Sequence, residues 1–159
     1  MKTIYIVSLV TSFLFVLSCN NEGENSKIIK NDIIMEVTEA EKILFEDLRQ
    51  GRIKDAMKFH LNDTNYVNIV NGVRRTYSQL DTALQNDLSK GVTGYNYKVN
   101  DRDFIIIDSS NVLETIDLNR EIMSEKNINA EDKNVVMSLL WTKQTGAWKI
   151  KHLHSSYKG

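Results

Sequence analysis

The sequence predicts an α+β domain in which three helices precede an antiparallel sheet. Apolar residues recur at helical spacing over much of the chain before about residue 90, and from Tyr95 onward they alternate at period two. A third observation is Asn71-Gly72, set between two short strand-like runs, which marks a tight hairpin within the helical half.

The first helix follows from Ile33, Val37, Ala40, Leu44 and Leu48, which fall on one face at i, i+4, i+7 spacing. Gly51 stands where a C-terminal cap belongs. A short second helix gathers Ile53, Ala56, Met57 and His60 on one side. Tyr66 to Val70 and Val73 to Tyr77 then read as the two arms of the hairpin. Ser78 is positioned to cap a third helix carrying Leu80, Leu84 and Leu88, which Lys90-Gly91 closes. Strands are expected over Tyr95–Ile107, Val112–Ile122, Val135–Thr142 and Ala147–Ser156, with residues 124–134 as a polar loop.

Ahead of the domain, Lys2 supplies a positive start and Ile4 to Leu17 an apolar stretch of about 14 residues, too short to span a bilayer. Ser18 then precedes Cys19, the only cysteine. Val16-Leu17-Ser18-Cys19 resembles the lipobox of bacterial lipoproteins, which implies a signal peptide over residues 1–18 and a lipid on Cys19. Membrane attachment through that lipid and a cell-envelope location are then expected. Residues 19–32 are polar and read as a flexible tether, leaving 33–157 as one domain. Without Lys2 the chain has 19 basic and 21 acidic side chains, a net of −2, so neither a nucleic-acid footprint nor a polybasic face is indicated. With a single cysteine, the domain has no internal disulfide.

The Asn71-Gly72 hairpin, the helix after it and the terminal Trp148-Lys149-Ile150-Lys151-His152-Leu153-His154-Ser155-Ser156 carry a family resemblance. Over residues 33–157 the order of elements resembles the nuclear transport factor 2-like superfamily, close to its SnoaL-like and ketosteroid-isomerase-like members. The resemblance implies a cone in which a curved antiparallel sheet wraps around three N-terminal helices. It also implies a mouth that holds a small apolar ligand, and frequent homodimers.

Candidate residues come from strand parity. Trp148, Ile150, His152 and His154 alternate along the last strand and are expected on one inward face. Three readings of the two histidines stay open: rim or core residues satisfied by neighbours, ligand contacts, or metal ligands. His60 is the only other histidine and nothing else marks a ligand set, so no metal site is assigned. Val112, Glu114, Ile116, Leu118, Arg120 and Ile122 also share one parity, placing an acid and a base in an apolar row. Glu114 then serves as a proton acceptor or polar anchor and Arg120 as an anion contact, unless the strand ends are solvated or the two charges satisfy each other. Tyr66 is a pocket-lining aromatic or core. The apolar face of Val135, Met137, Leu139 and Trp141 is core by default, with a dimer contact as the alternative.

No phosphate-binding glycine loop or nucleophile elbow occurs, so no cofactor is expected. The functional expectation is a lipid-anchored domain that binds a small, largely apolar ligand through Tyr66, Glu114, Arg120, Trp148, His152 and His154. The alternatives are an isomerase- or cyclase-type enzyme with a His or Glu proton shuttle, and a dimeric interaction module.

Overall fold

A computed structural model describes residues 21–125 and 130–157; the expected signal peptide, Cys19 and loop residues 126–129 lie outside them. The chain divides into two compact units, Met1–Ile34 and Met35–Gly159. Of the first, residues 21–34 are described and are helical. The candidate site lies in the second.

Helix α1 spans Asn21–Arg49. It begins well before Ile33, so residues 21–32, expected as an irregular tether, are helical instead. The segment holds no proline and a single glycine, and its glutamates and lysines are good helix formers even without an apolar stripe. Periodicity detects a helix through its apolar stripe and misses a stretch of helix formers that carries none. Helix α2 (Ile53–Ala56) runs into a single 3₁₀ turn, Met57–Phe59, and together they bury Ile53, Ala56 and Met57 as expected, whereas His60 follows in extended backbone and is buried there.

Strands β1 (Val67–Val70) and β2 (Val73–Arg75) form the hairpin. Asn71 (φ 47°) and Gly72 (φ 79°) both take the left-handed conformation that a two-residue hairpin turn demands. Helix α3 (Tyr77–Ser89) starts two residues earlier than a Ser78 cap would place it, because Thr76 is the cap. The Thr76 hydroxyl accepts from the Gln79 backbone N–H (3.3 Å), and the Gln79 side chain accepts from the Thr76 N–H (2.9 Å), which makes a capping box.

Strands β3 (Val92–Asp108), β4 (Asn111–Ser124), β5 (Ala130–Gln144) and β6 (Ala147–Ser156) complete a six-stranded sheet of order β2-β1-β6-β5-β4-β3. The sheet is curved, unclosed and mixed, because β1 runs parallel to β6 while every other pairing is antiparallel. A parallel pair needs a crossover in place of a hairpin. Here β2, α3 and three meander strands supply it, which alternation within single strands does not reveal.

The inner face of the sheet carries Val112, Ile116 and Leu118 from β4, Val135, Met137, Leu139 and Trp141 from β5, and Ile150 and Leu153 from β6, all buried. They form the core with Val37, Leu44 and Leu48 of α1, so the apolar β5 face is core. The end of α1 approaches β3 at two glycines. A Cβ on Gly94 would overlap the Arg49 carbonyl oxygen, and one on Gly51 would meet the Thr93 carbonyl at 2.5 Å. Two bulges matter for function. In β3, Asn100 is an extra residue between the Val99–Leu118 and Asp101–Asp117 pairs. In β6, Lys151 is extra between Ile150–Trp141 and His152–Leu140.

Candidate functional site

The Lys151 bulge breaks the face expected for Trp148, Ile150, His152 and His154. Each inserted residue inverts the parity of the strand beyond it. Trp148 and Ile150 point inward, but beyond the bulge Leu153 and Ser155 are the buried residues. His152 and His154 turn to the outer face, opposite Leu140 and Ser138 of β5 and Val67 and Ile69 of β1. Desolvation, with the like charges of His154 and Arg74, holds the His152 imidazole below its ordinary value.

Trp148 ties the sheet to α1. Its indole N–H donates to Glu36 Oε2 (2.8 Å), which also accepts from Lys143 Nζ (2.6 Å), and the Lys143 ammonium lies 5.5 Å from the Trp148 ring centre. The hydrogen bond from Lys143, then that from Trp148, holds the Glu36 carboxyl below its usual range. Tyr66 is core: its hydroxyl lies 2.9 Å from His60 Nδ1, and its ring meets His60 and Tyr77 edge-on. Burial pushes the Tyr66 phenol up, against the Asn68 amide that faces its oxygen.

Glu114 is fully buried, on the inward face expected of it, but its partners are a charge cluster. Its Oε2 accepts from the Trp141 indole (2.8 Å), and its Oε1 lies 3.8 Å from the Arg102 guanidinium, which donates to Glu41 Oε2 of α1 at 2.6 Å. The Asn100 bulge is what turns Arg102 inward, while Asp101 and Asp103 on either side stay exposed. Oε1 of Glu41 and Oε1 of Glu114 accept no hydrogen bond. Burial, reinforced by the Glu41 charge, raises the Glu114 carboxyl to about 7 against the pull of Trp141 and Arg102. Burial raises Glu41 as well. Two buried carboxylates facing one guanidinium favour retention of a proton by the pair.

A cavity of about 300 Å³ opens between the inner sheet face, α1 and α3. Its apolar wall includes Leu44, Leu48, Leu84, Ile122, Leu139 and Leu153. Its polar lining comes from His60, Asn68, Arg75, Asp87, Tyr95, Tyr97, Arg120, Ser155 and Tyr157. Arg120 Nε donates to Asp132 Oδ2 (2.9 Å), and the guanidinium lies 4.8 Å from the Tyr157 ring centre. The Tyr95 hydroxyl donates to Asp87 Oδ2 (2.6 Å). Tyr97 stacks on Phe45 of α1 with centroids 4.7 Å apart. Desolvation pulls His60 down to about 4, so its imidazole is neutral.

Of the expected binding residues, Arg120 alone lines this cavity; Tyr66, Glu114, Trp148, His152 and His154 lie elsewhere. Asn68 and Tyr97 line it without having been expected there. A signal for Asn68 is present in the sequence, since it shares parity with Tyr66 and Val70 and is the polar member of an inward row, as Glu114 is in β4. Among the described residues, no helix is long and apolar enough to cross a membrane.

Comparison with solved structures identifies the architecture as the nuclear transport factor 2-like cone fold. A nuclear transport factor 2-like superfamily protein from Salmonella enterica serovar Typhimurium superposes with a TM-score of 0.69 at 14% identity, over 82% of this chain and 94% of that one. A candidate scytalone dehydratase from Novosphingobium aromaticivorans superposes with a TM-score of 0.74 at 7% identity, over 84% and 89% of the two chains. A hexachlorocyclohexane dehydrochlorinase from Novosphingobium barchaimii gives 0.66 at 9% identity, over 84% and 91%. No family model and no curated protein matches the sequence.

Proposed function

We propose that the protein is a lipid-anchored component of the bacterial cell envelope whose cone domain binds a small, largely apolar molecule. The observation that carries the reading is the cavity of about 300 Å³, whose aliphatic wall is interrupted by tyrosines and a set of polar side chains. The lipobox-like Val16-Leu17-Ser18-Cys19 supports the anchor. The fold neighbours include a dehydrochlorinase whose name specifies a small apolar substrate. A homodimer formed through the outer sheet face, where Ile105 and Val136 are exposed, belongs to the same proposal.

The second reading, an isomerase- or cyclase-type enzyme, draws on His60, a cavity-lining imidazole fixed through Nδ1 by Tyr66. Efficient general bases have pKa values near the working pH. The group raised to about 7, Glu114, faces Trp141 and Arg102 and not the cavity, whereas the imidazole facing the cavity has been drawn down to about 4. That division favours binding over proton transfer.

Native mass spectrometry of the mature protein, released from membranes in detergent, tests the reading. It should give a mass beginning at an acylated Cys19 and a ligand adduct of small-molecule size that organic solvent removes. An unacylated chain refutes the anchor. A bare polypeptide that also fails to take up any apolar probe refutes the binding function.

A further inference from the structure

We propose that the cavity selects an uncharged, largely apolar molecule bearing one hydrogen-bond donor, a hydroxyl group, and reads that donor with the side-chain oxygen of Asn68. The inference rests on the binding function proposed above and specifies its ligand class.

Asn68 is the middle of a short row. In β1 it pairs with Arg75 of β2 on one side and with Leu153 of β6 on the other. The Lys151 bulge is what brings Leu153 and Ser155 to the inner face beside it. Asn68 lines the cavity and is 1% exposed, yet its Oδ1 has no hydrogen-bond partner. Its amide N–H group faces the Tyr66 oxygen, and the Tyr66 hydroxyl in turn meets His60 Nδ1. The row His60–Tyr66–Asn68 thus leaves one unmet need, an acceptor buried within the cavity wall. Buried polar atoms in native proteins are nearly always paired, and one left over at a pocket calls for a donor from the ligand. The terminal torsion of asparagine is broad, so the amide plane can follow that donor within one rotamer.

The charges around the cavity argue for an uncharged molecule. Arg120 is matched by Asp132, and Asp87 accepts the Tyr95 hydroxyl. Arg75, half-buried at the edge strand, offsets Asp87 in the charge count only, so Arg75, Arg120, Asp87 and Asp132 together carry no net charge. A carboxylate or an ammonium would upset that balance within a space whose wall is largely apolar.

The test uses three probes of one shape on the intact protein, followed by fluorescence: 2-naphthol, naphthalene and 2-naphthoate. 2-Naphthol should bind about tenfold more tightly than naphthalene, the worth of one buried hydrogen bond to an otherwise unpaired acceptor, and 2-naphthoate more weakly than either. In Asn68→Leu the tenfold preference should vanish while naphthalene affinity holds. If that variant does not fold, the wild-type ranking still decides. Equal affinity for 2-naphthol and naphthalene, or a preference for 2-naphthoate, overturns the ligand class and leaves the pocket standing. Failure of all three to bind overturns the binding function itself.

Discussion

Replacing Glu114 by glutamine should remove a pH-dependent loss of stability that the wild-type protein hides. Glu114 is fully buried, and its carboxyl is raised from 4.5 to about 7, first by burial and then by Glu41. A raised acid contributes its stability in full below the unfolded value and loses it as pH rises through the folded value. At 1.36 kcal/mol per pH unit, the interval from 4.5 to about 7 amounts to about 3 kcal/mol, lost progressively across that window. Glu41, also raised by burial, acts in the same direction. His60 acts in the opposite one. Its imidazole is drawn from 6.5 to about 4 by desolvation, so its contribution is complete above 6.5 and is lost as pH falls toward 4, again by about 3 kcal/mol. Between pH 4.5 and 6.5 the two slopes nearly cancel, and the wild-type curve should be flat there. Glu114→Gln keeps an oxygen for the Trp141 indole, while it cannot ionise. Urea unfolding of both proteins from pH 5 to pH 8 is the assay. The variant should rise with pH up to about 6.5 and then level off, leading the wild type by about 3 kcal/mol at pH 8. Parallel pH curves for the two proteins would refute the reasoning, because an isosteric change at an ordinary carboxylate leaves no such difference.

Gly94→Ala should destabilise strongly, by about 3 kcal/mol or more in urea unfolding, because the new methyl meets the rigid Arg49 carbonyl at the α1–β3 junction. Thr76→Ala should cost about 1 kcal/mol by the same assay through loss of the α3 capping box, whereas Ser78→Ala should change stability little. His152→Ala and His154→Ala together should leave probe affinity unchanged, since both face away from the cavity. Arg120→Ala should weaken binding severalfold by leaving Asp132 uncompensated at its edge.

The elements themselves were legible wherever burial is one-sided and regular. The alternation in β4 holds from Val112 to Leu118, Arg120 and Ile122 beyond it line the cavity, and Ala147–Ser156 is the observed span of β6. Legibility fails at the inserted residues. Lys151 and Asn100 are polar residues in polar surroundings, and neither carries a local sign that the strand will count it twice. Yet Lys151 sends two histidines outward and brings Leu153 and Ser155 to the cavity, and Asn100 turns Arg102 toward the buried glutamates. A bulge belongs to a pair of strands, since it is defined by the register with a partner. Reading one strand at a time assigns faces by parity and is right only as far as the first inserted residue.

The same limit explains why Glu114 and Asn68, alike in pattern, differ in role. Each is the polar member of an inward apolar row, and parity treats them identically. What separates them is the layer packed above each position. Over Glu114 lie Glu41 of α1 and the Arg102 side chain, so its oxygens are enclosed by charge and one proton. Asn68 lines the space that α1 and α3 leave, and its oxygen is buried in that wall without a partner. An unpaired atom within a closed cluster answers to pH, and one at an open wall answers to a ligand. The Glu114→Gln pH series and the naphthol ranking are therefore independent: the first leaves probe preference intact, and Asn68→Leu leaves the pH difference intact. If either variant moved the other readout, the charge cluster and the cavity would form a single site, and the division drawn between them would fail.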